Sequence, residues 1–340
     1  MLKLLHTSDW HLGQTLYNYN RREEHQHFID QLGEIISTHR PDVLAISGDI
    51  FHNSQPSAEW QSFYSEAISR FHTLAPEMII IATAGNHDSP SRHEVFRKPW
   101  EALNVHAIGA LDRSNPTTHI IPIGNKGYVV AIPYFYSISQ LEDFFAQMAE
   151  EVSRLNPGNL PVVLMAHATV TNCDITGHDR HLMYTSIGGL DSISISSFSQ
   201  EFDYVALGHI HKPQTLRNTG QRLRYSGSPI AVSFDENYSH SVSLVEIESH
   251  GKSPAITEIE IINPRPLLSL PAEGFAKWEE IKEMVRQFPA DLPAYLRLQV
   301  EVTDFLPPHA ADDINALLEG KEARFCLFNV TRPHADANHP

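Results

Sequence analysis

Along the first part of the chain, short apolar runs alternate with longer stretches of helical periodicity. Leu2 to Thr7 is an apolar run of strand length that ends in Ser8-Asp9-Trp10-His11. Arg21-Arg22-Glu23-Glu24 opens a helical pattern that continues to about His39, just before Pro41. Asp42-Val43-Leu44-Ala45-Ile46 predicts a buried parallel strand, and it closes in Gly48-Asp49-Ile50-Phe51-His52. A second helix is expected from about Ser57, where Trp60, Phe63, Tyr64, Ala67, Ile68 and Phe71 recur at helical spacing. Met78 to Ala82 is another buried strand and ends in Gly85-Asn86-His87-Asp88. Strand and helix alternating at this pace predict a βαβ architecture.

After about Asn104 the texture changes. Short strands are expected around Ile120, Val129 and Val162, with a helix from about Ile138 to Leu155 between the last two. The run Val162 to Ala166 delivers His167, and Tyr204 to Leu207 delivers Gly208-His209-Ile210-His211. The stretch between them, Thr169 to Gln200, is rich in Ser, Gly and His and reads as a long loop over the site. Arg222 to about Ile262 has strand patterning with turns at Gly227-Ser228-Pro229 and Gly251-Lys252, which predicts a second sheet packed on the first. Pro264-Arg265-Pro266 interrupts the chain. Beyond it, a strand near Leu268, a helix from Phe275 to Phe288, a strand from Tyr295 to Val302, a helix from Pro308 to Leu318 and a strand from Arg324 to Val330 predict a compact α/β unit. The expected organisation is a large domain over 1–264, a small α/β domain over 265–331 and a disordered tail over 332–340.

Composition narrows the setting. A chain of 340 residues can bury one large core and a smaller one. Its formal charge of −16 argues against a general polyanion-binding surface. Contact with nucleic acid would then rest on bound metal or on local patches drawn from Arg21, Arg22, Arg92, Arg97, Lys98, Lys212, Arg217, Arg222 and Arg224. Cys173 and Cys326 lack paired spacing, which excludes a thiolate zinc site and a disulfide framework and fits a reducing cytoplasm. The opening residues are too short for a signal peptide, and no apolar run is long enough to span a membrane.

The strand ends carry the chemistry. Asp9, His11, Asp49, Asn86, His167, His209 and His211 offer oxygen and imidazole donors, a set suited to manganese, iron, zinc or magnesium. Singly, each has an ordinary explanation: Asp-x-His as a surface turn, Gly-Asn-His-Asp as turn chemistry, His167 as a satisfied core histidine. Together, in this order and at strand ends, they read as one metal site with Asp49 at its centre. A carboxylate has two oxygens and can bridge two ions. In an extended segment Asp9 and His11 would point to the same side, and a turn at His209-Ile210-His211 could aim the two imidazoles at neighbouring metals. A pair of ions roughly 3.5–4 Å apart supplies a nucleophile near neutral pH and clamps an in-line displacement at phosphorus.

The series Asp-x-His, Gly-Asp, Gly-Asn-His-Asp, lone His, Gly-His-x-His resembles that of the calcineurin-like metallophosphoesterases. His6 to Gly13, Gly48 to Phe51, Ala206 to His211, Tyr225 to Pro229 and Ser233-Phe234-Asp235-Glu236 resemble, more narrowly, the bacterial exonuclease subunits that work with an SMC-like, SbcC-type ATPase. The similarity covers the chain to about Val330. It implies a four-layer α/β/β/α sandwich with a small C-terminal α/β capping domain, DNA as substrate, and two divalent ions, normally Mn2+. By the resemblance, one metal takes Asp9, His11, Asp49 and His211, and the other takes Asp49, Asn86, His167 and His209. His87 is then the acid that serves the leaving oxygen, and His52 matches a position linked to handling DNA. The resemblance further implies a homodimer, to which the apolar face from Trp60 to Phe71 would contribute unless it is only core packing. The chain ends soon after the capping unit, which implies a shortened form or an altered attachment to the ATPase. Two alternatives stay open: a phosphoesterase of the same fold acting on small phosphodiesters, and a non-catalytic scaffold subunit. Asn53 argues against protein phosphatases, whose pattern places an arginine after an acidic residue there.

Overall fold

Strands whose side chains alternate between two apolar surfaces have to be covered on both faces, and this chain builds two such sheets. The computed structural model describes residues 1–95, 97–177 and 192–332. In the first sheet, β1 (Leu2–Thr7), β4 (Val43–Ser47), β5 (Ile79–Thr83) and β6 (Val105–Ile108) run parallel. Strands β13 (Ser241–Ile247) and β14 (Ala255–Glu260) extend it antiparallel beyond β1. In the second sheet, β8 (Gly127–Ala131), β9 (Val162–His167), β10 (Tyr204–Gly208) and β12 (Leu223–Tyr225) run parallel, flanked by the antiparallel edges β7 (Ile120–Ile123) and β11 (Gln214–Thr215).

The period of two sorts the core into three layers. Leu2, Leu4, Val43 and Ala45 meet Val163, Met165, Tyr204 and Ala206 between the sheets. Their neighbours Leu44 and Ile46 face outward and pack with Phe28, Leu32, Phe63 and Ile68 of helices α1 (Arg22–His39) and α2 (Ala58–Leu74). On the far side, Val130, Leu164 and Val205 pack with Phe144, Phe145 and Met148 of α5 (Ile138–Leu155). The result is the expected four-layer sandwich of helix, sheet, sheet and helix. Two short helices that the periodicity did not predict, α3 (Pro90–Glu94) and α4 (Arg97–Glu101), connect β5 to β6. The six apolar residues of α2 from Trp60 to Phe71 all lie inside this core. The breadth of that face is therefore explained by the chain's own packing and gives no argument for a second copy.

The chain divides into two compact units, Met1–Gln14 with Arg21–Ile262, and Thr15–Asn20 with the chain from Asn263. The second unit has a parallel sheet in which β17 (Tyr295–Glu301) lies between β18 (Arg324–Thr331) on one side and β15 (Leu267–Leu270) and β16 (Ala276–Lys277) on the other. Helices α6 (Trp278–Gln287) and α7 (Ala310–Leu317) cover it through Ile281, Val285 and Ile314. The sequence pattern places everything before Pro264 in one domain. Instead the small hairpin of β2 (Thr15–Leu16) and β3 (Tyr19–Asn20) groups with the second unit, where the Tyr19 hydroxyl donates to the Phe325 carbonyl at 3.1 Å and Arg324 stacks on the Tyr19 ring. A six-residue excursion is too short to give a periodic signal that could reveal this. Of the expected loop from Thr169 to Gln200, residues 178–191 lie outside the described residues, as does the expected tail beyond Arg332.

His6 titrates inside the layer between the sheets. Its ring lies fully buried with Nδ1 2.9 Å from the Tyr204 hydroxyl, and burial, helped by the charge of Arg224, pushes its pKa down to about 3. The folded chain thus keeps His6 neutral where an unfolded chain, near 6.5, has taken a proton. The resulting stability is complete above pH 6.5 and is lost as pH falls toward 3. Replacing His6→Asn keeps a polar partner for Tyr204 without the titration. Chemical denaturation between pH 6 and 4 should show the wild type losing about 1.4 kcal/mol per pH unit more than the variant; equal slopes would remove His6 from the acid limb.

Candidate metal centre

The parallel strands finish at matched levels. Thr7 pairs with Ile46, Ser47 with Thr83, and Gly208 with His167. The loops that follow then meet at one edge of the sandwich, which is where α/β sheets open a crevice. They approach so closely that side chains are excluded at Gly48, Gly85 and Gly208. A Cβ on Gly48, which has φ +86°, would sit 2.1 Å from His167 Nδ1, and a Cβ on Gly208 would sit 1.8 Å from the Ser47 carbonyl oxygen. Backbone bonds join the first two loops: Asp9 N–H donates to the Gly48 carbonyl, His11 N–H to Asp49, Leu12 N–H to Ile50, and His52 N–H back to Leu12, at 2.8 to 3.0 Å. Trp10 anchors this arrangement, buried against Phe28 and Tyr64 with its indole N–H donating to Thr7 Oγ1 at 2.9 Å.

Asp9 and His11 are not extended, as their spacing suggested. Both take positive φ (54° and 47°), as do Asp49 (51°) and His209 (94°). For residues with a Cβ this backbone region is uncommon and costs about 1–3 kcal/mol each. The loop bonds and buried Trp10 hold it in place. What the spacing predicted through a strand, the chain achieves through turns.

Two sets of donors meet at Asp49, and the imidazoles of His11, His52 and His87 form a third cluster beside them. In the first, Asp9, His11 and His211 converge, with His11 Nε2 3.1 Å from His211 Nε2. In the second, His167 Nε2 and His209 Nδ1 each lie 2.9 Å from Asn86 Oδ1. Asp49 stands between them, its Oδ2 3.4 Å from His167 Nε2 and 3.9 Å from His11 Nε2. His167 Nδ1–H donates to the Ser47 carbonyl at 2.8 Å, which directs the Nε2 lone pair of the neutral ring at the oxygens of Asn86 and Asp49. Acceptors facing acceptors repel unless a proton or a cation lies among them. The titration behaviour agrees. Burial lowers the His167 pKa, but the Asp49 charge outweighs it and raises the ring to about 9. Burial likewise pushes Asp49 up, and His167, with His11 and His87, overcomes this and holds its carboxyl well below the usual range. The potential that retains a proton on His167 is the one that would draw a divalent cation. The donor set therefore fits divalent metal.

His87 and His52 are brought to the same place. His87 donates its backbone N–H to Asp49 Oδ1 and its Nδ1–H to the His52 carbonyl, both at 2.8 Å. Its ring meets that of His11 edge-on at 4.9 Å and stacks beside His52 at 5.8 Å. Burial, and then the charge of His87, lower the His52 pKa.

The cations fare differently. Arg21 is fully buried and bonds Glu24, Gln14 and the Ala231 carbonyl. Arg224 is buried and pairs with Glu258, and Arg222 donates to the carbonyls of Ser199 and Phe202. Arg22 pairs with Glu59 and Lys212 with Asp174. In a chain this acidic, carboxylates and buried carbonyls absorb most of the positive charge that sequence alone offered to a polyanion. Arg92, Lys98 and Arg217 are exposed.

Two further residues support the site, and spacing gave them no role. Asp88 is buried and accepts from the backbone N–H groups of Gly85, Ile50 and Phe51 at 2.9 to 3.1 Å, locking the Asn86 turn to the Asp49 loop. A carboxylate three residues after a glycine is ordinary turn chemistry, which concealed it. Glu236 accepts the Nδ1–H of His211 at 2.8 Å and the Val232 N–H at 3.0 Å. Although burial opposes it, the Glu236 charge raises His211 to about 9. Gln14 holds the same loop by donating to the Val232 carbonyl at 2.7 Å.

Histidines and carboxylates gathered at the strand ends of a four-layer sandwich define a metal-dependent phosphoesterase. Residues 2–213 match the calcineurin-like phosphoesterase family, and the chain belongs to it. Across nearly its whole length it is similar to the SbcD subunit of the nuclease SbcCD of Rhodobacter capsulatus, at 31% identity over 98% of this chain and 88% of that protein. The SbcD subunits of Escherichia coli and Bacillus subtilis are each 27% identical over 90% of this chain, covering 79% and 80% of their own length.

A carboxylate behind a metal-binding imidazole raises its basicity and fixes its orientation. Glu236→Gln should therefore weaken divalent metal uptake about tenfold, the lower end of what such partners contribute, while thermal unfolding in chelator stays close to wild type. Titration calorimetry with manganese measures the first quantity. An unchanged affinity would leave Glu236 with only its loop to hold.

Proposed function

We propose that this chain is a metal-dependent DNA nuclease that hydrolyses phosphodiester bonds with two divalent ions, manganese being the metal the family resemblance implies. Asp9, His11, Asp49 and His211 would hold one ion, and Asp49, Asn86, His167 and His209 the other. The observation that carries this reading is the position of Asp49 Oδ2 between the two imidazole sets, 3.4 Å from one and 3.9 Å from the other. The named relatives supply the substrate class, and by the same analogy an SbcC-type ATPase is the partner.

When bound, the two ions would supply a nucleophile at neutral pH and stabilise charge on phosphorus. The protein's part is to hold the donors without rearrangement. The buried Asp49 loop, the Asp88 lock and the backbone bonds fix them before substrate arrives, so little reorganisation accompanies the reaction. His87 reaches Asp49 only through its backbone N–H, and its ring groups with those of His11 and His52. Its Nδ1–H is committed to the His52 carbonyl, which leaves Nε2 to carry the proton that the departing oxygen needs.

The reading is tested with the whole chain and manganese, on single- and double-stranded DNA with and without chelator, beside a small phosphodiester. Hydrolysis of the small substrate alone would make this a small-molecule phosphodiesterase. Substituting His87→Gln retains a hydrogen-bonding side chain and removes the titrating proton. Metal content and melting temperature should match wild type, with DNA cleavage lower by about a hundredfold or more. Loss of an ion in the variant would make His87 a ligand instead, and near-normal cleavage would remove it from the reaction.

A further inference from the structure

The segment Tyr134-Phe135-Tyr136 leaves the end of β8 and enters α5 beside the second donor set. Tyr134 N–H donates to the Ala84 carbonyl at 2.8 Å, two residues before Asn86, which ties the segment to the loop that carries this donor. The Tyr134 ring meets His167 edge-on at 6.1 Å, and Tyr136 meets Tyr134 edge-on at 5.1 Å. Phe135 turns the other way, packs on the core of the second sheet and carries Arg113 over its face at 5.1 Å. Tyr136 is 85% exposed. Its backbone is nonetheless anchored, because the next residue, Ser137, opens α5 and its carbonyl accepts from Leu141 N–H at 3.0 Å. An aromatic row thus begins at an imidazole of the metal centre and ends with a ring presented to solvent.

We propose that this row is a nucleobase-stacking subsite, in which Tyr136 packs against the base of a nucleotide flanking the scissile phosphodiester. The proposal rests on the nuclease reading and deepens it by naming how the strand is held. Three observations favour a base as the occupant. The row is continuous with His167, so it offers an aromatic face to the base of a nucleotide whose phosphate lies at the donor sets. A ring so exposed gains almost nothing from the chain's own core, whereas a base offers it a flat apolar face. Stacking also needs no positive charge, which suits a chain of formal charge −16 whose arginines are largely engaged elsewhere. Base–aromatic stacking is sequence-tolerant, since every base has a π-face.

The test compares wild type, Tyr136→Ala and Tyr136→Trp with manganese on a single-stranded oligonucleotide and on the same strand made abasic. Tyr136→Ala should raise KM for the intact strand about tenfold, with kcat within about twofold, and Tyr136→Trp should restore it. On the abasic strand the wild type should fall to the level of Tyr136→Ala, and the two should no longer differ. Equal KM values for wild type and Tyr136→Ala on intact DNA would overturn the subsite, as would a loss of the same size on both strands, or a defect seen only in binding a protein partner. Wild-type protein that hydrolyses a small phosphodiester but no DNA would instead sink the nuclease reading, and the subsite with it.

Discussion

Everything at the strand ends answers to one electrostatic constraint: a buried carboxylate, Asp49, is surrounded by groups that mostly offer lone pairs. Taking a carboxylate out of water is costly unless positive charge or donors replace the solvent. In this centre one oxygen receives the His87 backbone N–H, while the other faces imidazoles on two sides. Such a cluster holds together only with protons or cations inside it, and the raised pKa values of His167 and His211 express that demand. The glycines, the left-handed turns and the Asp88 lock follow from the same requirement. Several strand ends have to come within bonding distance, and ordinary backbone with ordinary side chains would keep them apart.

The two donor sets meet the constraint by different means. His167 is oriented by a neutral backbone carbonyl, that of Ser47, whereas His211 is oriented by the Glu236 carboxylate. The first set also contains Asp9 where the second has the neutral Asn86. Negative charge is therefore concentrated about the first set. Asp9 itself is buried, and its carboxylate accepts from the Ser8 hydroxyl at 2.6 Å and from His209 N–H at 3.0 Å. The same bond to His209 ties the Gly-His-x-His turn to the Asp-x-His turn, so the two sets share backbone supports as well as Asp49.

Much of this was legible in the residues. Strands that are apolar at every position declared themselves buried on both faces, and the alternation with amphipathic helices left few architectures open. The donor residues could be read because nearly all of them follow such a strand closely. Three things were hidden, each for a physical reason. The Asp9 and His11 geometry depends on a rare backbone conformation that spacing cannot report, although Trp10, buried between them, helps to hold it. Glu236 lies twenty-five residues beyond His211, in a polar stretch where one more acid carries no periodic signal. The hairpin at Thr15–Asn20 is too short for its side chains to show which unit they join. The wide face of α2 misled in the opposite direction, because the core beneath it includes Trp10, Trp100 and Phe28 and is larger than one strand would require.

The acidity of the chain then becomes informative. A protein that gathers a polyanion by surface charge needs unpaired lysines and arginines. Yet Arg21 and Arg224 are buried, Arg22 and Lys212 are matched with carboxylates, and Arg222 is spent on carbonyls. Asp9 and Asp49 among the donors, with Asp88 and Glu236 behind them, contribute four negative charges, which the four positive charges of two divalent ions would balance. The loaded centre would thus be close to neutral on an otherwise acidic surface. Beyond the centre, exposed cations such as Arg92, Lys98 and Arg217 remain to attract phosphate, and the other contacts along a strand are of a kind that charge does not govern. Binding of that kind falls only shallowly with salt, because few counterions are released when few surface cations engage the backbone. An acidic nuclease built this way would bind nucleic acid weakly except at its metal centre, and selectivity for strand ends or single strands would come from the shape and stacking of that one site.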